Sequence, residues 1–175
     1  MDRAASQLAL TIREAEEDDR GAIRDIVTRA FGRDDETRLV ERLWAEDAAA
    51  LEVVGLIDDG IVGYCGFSPV AAEPAIKGSA LGMAPVAVLP EHQGKGVGAA
   101  MIETGFEIAK SRGAALIVVL GEPAYYQRFG FEPASAFNFR WAAMDAGDAF
   151  QMIDFGAGDA IARAIHYHPA FAELS

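Results

Sequence analysis

The sequence predicts an α+β domain in which helices pack on a mixed β-sheet. Three observations carry that expectation. Leu51 to Ile57 and Ile61 to Ser68 are apolar runs rich in Val and Ile, joined by Asp58-Asp59-Gly60, whose Asp-Gly pair suits a tight antiparallel hairpin. Ala80 to Leu120 reads as one β-loop-α-β unit, which brings a parallel pair into the sheet. No repeat, low-complexity run or linker interrupts the chain, so residues 1–175 are expected to form one domain around one core.

Taken in order, Leu8, Leu10 and Ile12 alternate with Ala9, Thr11 and Arg13, the period of a half-buried strand. Glu16 to Asp19 then place negative charge where a helix start favours it, ahead of Ala22, Ile23, Ile26, Val27 and Ala30 at helical spacing. A second helix is expected from about Glu36 to Glu46 on the pattern of Leu39, Val40 and Leu43. The hairpin follows. The next strand, Ala80 to Leu89, is interrupted by Pro85, which lacks the N–H that a ladder needs and so predicts a bulge or an unpaired edge. From Val97 to Arg112 the polar Glu103, Glu107 and Lys110 share one helical face, Met101, Ile102, Phe106 and Ala109 supply apolar surface, and Gly113 stands at the stop. Ala114 to Leu120 has the length and composition of a strand buried on both faces. Beyond it, Phe137, Phe139 and Trp141 alternate, and Ala160 to Tyr167 reads as a last strand.

Composition narrows the function classes. A chain that is 51% hydrophobic and 24% charged is neither disordered nor collagen-like. Its apolar runs fall short of the roughly 18 residues of a membrane span. A net charge of −12 is the reverse of the basic footprint that draws a protein to nucleic acid or to an anionic membrane, so neither is expected as a partner. The lone Cys65, in a strand-like stretch, reads as a small buried hydrophobe, and no apolar signal core follows Met1-Asp2-Arg3; the cytoplasm is the expected location.

The chemistry points to Gln93-Gly94-Lys95-Gly96-Val97-Gly98, between a strand end and the start of the longest predicted helix. Glycines let the backbone turn its N–H groups inward, and a helix start adds unpaired donors and partial positive charge, so a pyrophosphate can be held without arginines. A glycine-rich turn that merely caps a helix has the same spacing. The P-loop pattern G-x-x-x-x-G-K-[ST] has no match. The dinucleotide pattern G-x-G-x-x-[GA] is met by Gly94, Gly96 and Ala99, but five residues, Leu89 to Gln93, separate strand from glycines and only one βαβ unit is present.

The stretch Val86 to Gly98 resembles the acetyl-CoA-binding signature of the GNAT acyltransferases, V-x-P-x-x-[QR]-x-x-G-x-[GA], at every specified position. The second family signature, Y-x-[KR]-x-G-F, is met by Tyr126-Gln127-Arg128-Phe129-Gly130-Phe131. The resemblance covers the element order from Leu8 to Phe131. Gly121 to Phe131 is similar to a little-characterised bacterial subgroup of that family.

That resemblance implies a mostly antiparallel mixed sheet whose strands splay at the acyl-CoA site, and an enzyme that moves an acetyl group from acetyl-CoA directly to a primary amine, with neither covalent enzyme intermediate nor metal. Val86, Ala87 and Val88 would then offer backbone groups to the pantetheine arm, with the Val88 N–H as oxyanion donor, a role worth about 10²–10³ in rate. Gly94 to Gly98 with Ala99 would cradle the pyrophosphate, Gln93 would fix the loop entry, and Lys95 would either add charge or stay solvated. Tyr126 would be the general acid for the departing thiolate, a phenol with an ordinary pKa near 10 being protonated at neutral pH. Tyr125 competes for that role, because helical neighbours project about 100° apart.

The base is left open: Glu36, Glu52, Glu73, Glu122 or a water chain would serve, and each glutamate equally suits the surface. Asp34, Asp35 and Glu36 either attract a cation near the acceptor or start a helix. His166 and His168 would share a strand face without a third ligand nearby, so no metal is expected, and His92 is expected to face solvent. A non-catalytic acyl-CoA sensor or scaffold remains the alternative function, and the sequence leaves open the acceptor, the acyl-chain preference and a homodimer.

Overall fold

The computed structural model describes residues 9–174; Leu8 and the Met1-Asp2-Arg3 start fall outside them. The N-terminal half runs β1 (Leu10–Glu14), α1 (Arg20–Phe31), α2 (Asp35–Ala45), β2 (Leu51–Ile57), β3 (Gly60–Glu73) and β4 (Ser79–Val88). It is followed by α3 (Val97–Ser111), β5 (Ala114–Leu120), the single turn α4 (Pro123–Tyr126), β6 (Glu132–Pro133), β7 (Phe139–Trp141), β8 (Phe150–Asp154) and β9 (Arg163–His166). The main sheet has the order β1-β2-β3-β4-β5-β8-β6, antiparallel except where β4 meets β5. The expected mixed, mostly antiparallel sheet is therefore present.

The hairpin turns at Asp58 and Asp59, both with positive φ (49° and 66°), and Gly60 already belongs to β3. Two central residues in the left-handed region match the twist of the flanking strands, and Asp tolerates that region better than most. Pro85 disrupts β4 as expected: Cys65 pairs with Val86 and Phe67 with Met83, so Ala84 and Pro85 stand opposite Gly66 alone. β3 outruns its predicted end at Ser68 because it leaves one sheet for another. Its residues Ala71 to Glu73 pair with β9, which also pairs with β7.

Two layers cover the sheet. Carbon placed at Gly63 would lie 2.8 Å from Met101 Cε of α3, whereas the next residue, Tyr64, bonds to Glu52 and through it to Trp44 of α2. Successive strand residues face opposite ways, so α3 lies on one face and α1 with α2 on the other. Leu116 and Val118 of β5 and Met152 of β8 form a second apolar cluster with Phe139 and Ile165 of the small sheet, on the face away from α3. Leu39 and Leu43 of α2 close a third with Ala170.

Three expectations need correction. β8 was not anticipated; it is five residues long, carries a buried Gln151, and owes its place to β5 and β6 rather than to its own pattern. Phe137 lies in a 3-10 turn, leaving Phe139 and Trp141 to alternate in β7. The last strand is only Arg163–His166; upstream, Asp159 is taken up by the Arg163 guanidinium and the Ile161 N–H, which holds residues 159–162 in a loop. No helix among the described residues is long and apolar enough to cross a membrane.

Candidate active site

β4 and β5 pair only from Ser79 to Gly82, against Ala114 to Val118. Beyond Gly82 the strands part, and β5 keeps β8 on its other edge. The splay expected from the family pattern is thus present, with Met83 to Val88 along one lip. On its other side β4 is bonded to β3, and the Leu89 N–H reaches the Val62 carbonyl at 2.9 Å. Antiparallel ladders bond alternate residues, so the Ala87 N–H also turns toward β3, while the Val86 and Val88 N–H groups face the gap. Both valines are half-buried.

After a short turn at Pro90–His92, the glycine loop leads into α3. Gln93 Nε2 donates to the Val88 carbonyl at 3.1 Å and ties the loop to the lip. Gly94 and Gly96 have φ of +72° and +82°, which L side chains resist, and carbon placed on either would meet nothing within 4 Å. Gly96 caps α3 without a side-chain bond, and the first intrahelical bond runs from the Ala100 N–H to Gly96. The N–H groups of Val97, Gly98 and Ala99 are therefore left without helical acceptors and point outward with the positive end of the helix dipole. They open on a cleft of about 350 Å³ shared with Val88, Gln93, Gly94 and Gly96, closed on the far side by Tyr125 and Arg128. No carboxylate lines it, in a chain whose net charge is −12.

Lys95 is exposed beside the cleft, and Val86, Ala87 and Tyr126 lie outside its lining. Arg128, given no role by sequence reasoning, sits 5.2 Å over the Tyr125 ring and 5.5 Å over that of Phe129; the basic position of the second signature was its only signal. The two tyrosines separate as helical neighbours must. The Tyr125 hydroxyl lies 3.2 Å from where carbon on Gly98 would stand, whereas the Tyr126 ring covers Gly121 and meets Phe131 edge-on at 5.8 Å. Burial, with smaller effects of Cys65 and Tyr125, pushes the Tyr126 pKa up to about 12. Tyr125 is also raised by burial, and Arg128 opposes the shift. Both phenols are protonated at neutral pH.

Cys65 is fully enclosed and burial raises its pKa strongly, in keeping with a packing role. His92 departs from expectation: it lines the cleft and its Nδ1 is buried with no partner. His166 ends β9 and contacts Glu73, while His168 caps the following turn and contacts Glu46, so the two do not share a strand face. No group of three His, Cys, Asp or Glu converges among the described residues.

The four glutamates also separate. Glu36 is buried, contrary to a surface role, and is held by Arg33; Asp35 pairs with Arg33 and Arg38, so this helix start is largely self-neutralised. Glu73 and Glu122 are exposed. Glu52 is half-buried on the α2 face of the sheet, where its Oε2 accepts the Tyr64 hydroxyl at 2.6 Å and Trp44 Nε1 at 2.7 Å. Across from it, carbon on Gly66 would stand 2.8 Å from the Tyr64 hydroxyl and 3.2 Å from the Ala84 carbonyl, so this pair borders the bulge of β4.

Residues 11–134 match the family profile described as an acetyltransferase (GNAT) domain. The uncharacterized N-acetyltransferase YhbS of Escherichia coli K12 is 31% identical over 152 residues, covering 83% of this chain and 89% of that protein. The crystal structure of Escherichia coli YhbS in complex with CoA superimposes with a TM-score of 0.87 at 31% identity, covering 96% of this chain and 94% of that one. A GNAT family acetyltransferase from Brucella melitensis, in complex with acetyl-CoA, gives a TM-score of 0.78 at 33% identity, covering 93% and 98%. The splayed strands, the glycine loop and these relatives agree, and the chain belongs to the GNAT acetyltransferase family.

Proposed function

We propose that this protein is an N-acetyltransferase that uses acetyl-CoA to acetylate a primary amine of a small molecule, a peptide or a protein in the cytoplasm. The observation that carries the reading is the uncapped start of α3 beside the open lip of β4. Acetyl-CoA supplies the activated acetyl group. The N–H groups of Val97, Gly98 and Ala99, with the backbone of Gly94 to Gly96, are the donors for its pyrophosphate, and Arg128 adds fixed positive charge across the cleft. Lys95, exposed on the loop, adds charge without a fixed contact. The Val86 and Val88 N–H groups and the flank of Ala87 line the lip along which the pantetheine arm runs, with Val88 beside the pyrophosphate cleft and the thioester end toward the apex of the splay. Gln93 fixes the Val88 carbonyl and with it the angle at which that residue enters the loop.

Tyr126 is the general acid of this reading: burial keeps it a phenol well above neutral pH, so it holds the proton that the leaving thiolate needs. Tyr125, nearer the loop, packs on the cofactor's path. The test is calorimetric titration with CoA and acetyl-CoA, with NADH as control, followed by an amine screen using Tyr126→Phe. Micromolar binding of the CoA species alone, with transfer to at least one amine slowed about 10²-fold in the variant, is the expected result. Binding without transfer to any amine would make the protein an acyl-CoA sensor, and no binding would overturn the reading.

A further inference from the structure

Four buried side-chain polar atoms among the described residues have no hydrogen-bond partner, and two of them, Ser68 Oγ and the Tyr167 hydroxyl, fall on one patch. Ser68 stands directly across from Gly82 in the β3–β4 ladder. Its predecessor Phe67 reaches α3, where carbon on Gly105 would be 2.6 Å from Phe67 Cζ, so Ser68 faces the other way. Gly82 faces that way too: carbon there would lie 2.9 Å from Tyr167 Cε1 and 3.0 Å from Val70 Cγ1. Facing positions in an antiparallel pair are about 5 Å apart, so the serine and the tyrosine ring meet over one short piece of β4. That piece is the apex of the splay, because Gly82 with Val118 is the last pair before the strands part.

A hydroxyl enclosed without a partner destabilises a fold, and Ala or Phe would fill the same space without that cost. Two such hydroxyls at the one point where the sheet opens call for a ligand that supplies the missing bonds. Their surroundings are Val70, Leu116, Val118 and Ile165, with Trp141 at 6.2 Å and Phe171 at 5.2 Å from the Tyr167 ring. Burial holds the Tyr167 pKa well above its ordinary value, so the group is a neutral phenol. Part of Tyr167 reaches the surface while its hydroxyl does not, which places the ring between solvent and apex.

We propose that Ser68 and Tyr167 are positioning residues that form the hydrogen-bonding seat for the nitrogen of the acyl acceptor, on the face of the sheet opposite α3. The hydroxyls accept N–H bonds and aim the nitrogen lone pair through the gap. A pair of neutral hydroxyls in an apolar patch selects an uncharged amine on an apolar or aromatic stem over one flanked by charges. This assignment rests on the acetyltransferase reading above.

The test uses a stable adduct in which the CoA sulfur is joined through –CH2–CO–NH– to n-butane, placing an amide nitrogen where the acceptor's would be. Calorimetry on the full chain compares this adduct with CoA for wild type, Tyr167→Phe and Ser68→Ala, and thermal melts accompany each. The expected result is that wild type binds the adduct at least tenfold tighter than CoA. Each variant then loses about five- to tenfold for the adduct, holds its CoA affinity within twofold, and melts no lower than wild type. Equal changes for both ligands, no preference for the adduct in wild type, or a melting point lowered by several degrees would each overturn the seat. Failure of wild type to bind CoA would instead overturn the acetyltransferase reading on which it rests.

Discussion

The two faces of the sheet at the splay are built from different materials. On the α3 side, the cleft is made largely by main-chain groups within the short stretch Val88 to Ala99, closed by Tyr125 and Arg128. On the opposite side the polar groups are side chains from distant strands: Glu52 of β2, Tyr64 and Ser68 of β3, and Tyr167 just past β9. Main-chain donors are set by φ and ψ alone and survive most substitutions, whereas a side-chain seat depends on each residue and its neighbours. The first arrangement suits a ligand that never changes, the second one that does.

If the α3 face works through backbone geometry, its largest failure comes from a glycine. Gly96→Glu combines strain at φ +82° with a carboxylate beside the unpaired N–H groups of α3 and should weaken CoA binding at least about 100-fold by calorimetry. Gly96→Ala, which meets no atom within 4 Å, carries the strain alone and should lose far less; equal losses would remove the electrostatic half of the argument.

On the opposite face, Glu52 should respond in stability instead. Glu52→Ala strands the buried Tyr64 hydroxyl and the Trp44 N–H, and should destabilise the fold by about 1–3 kcal/mol in denaturant melts, with CoA affinity unchanged within twofold. A loss of CoA affinity in that variant would show that the two faces are coupled. A smaller effect is expected of Gln93→Ala, which removes one bond to the Val88 carbonyl: about 1 kcal/mol, or roughly fivefold in CoA affinity.

The mildest test is spectroscopic and spans both faces. All four tyrosines are raised from 10.0 mainly by burial, Tyr126 to about 12. A raised phenol pKa favours the protonated folded state, so its contribution to stability is whole below pH 10 and is lost as pH climbs through the folded values. Native protein should therefore show little phenolate absorbance at pH 10, while protein unfolded in guanidinium is half-ionised there; matching curves would mean that the hydroxyls are open to solvent.

Much of the sheet and all of the glycine loop were legible from the chain. The period-2 pattern after Leu8, the apolar runs at 51–57 and 114–120, and the break at Pro85 are local signals, and hydrophobic spacing reports burial wherever one element faces one core. Gln93 to Ala99 was readable for a related reason: the loop and the helix it starts are contiguous, so the donors and the turn that aims them are written side by side. Tertiary packing decided the rest. β8 became a central strand because β5 and β6 offered it two edges, and nothing in Phe150 to Asp154 alone forces that. Arg128 gained its place by stacking on Tyr125, and Glu36 lost its place on the surface to Arg33. Ser68 and Tyr167 stand about a hundred residues apart in sequence and meet only because β3 runs on into a second sheet, whose last strand lays the tyrosine ring over Gly82. A sequence determines by itself what contiguous backbone can do; side chains brought together from separate strands acquire their chemistry only when the sheet closes around them.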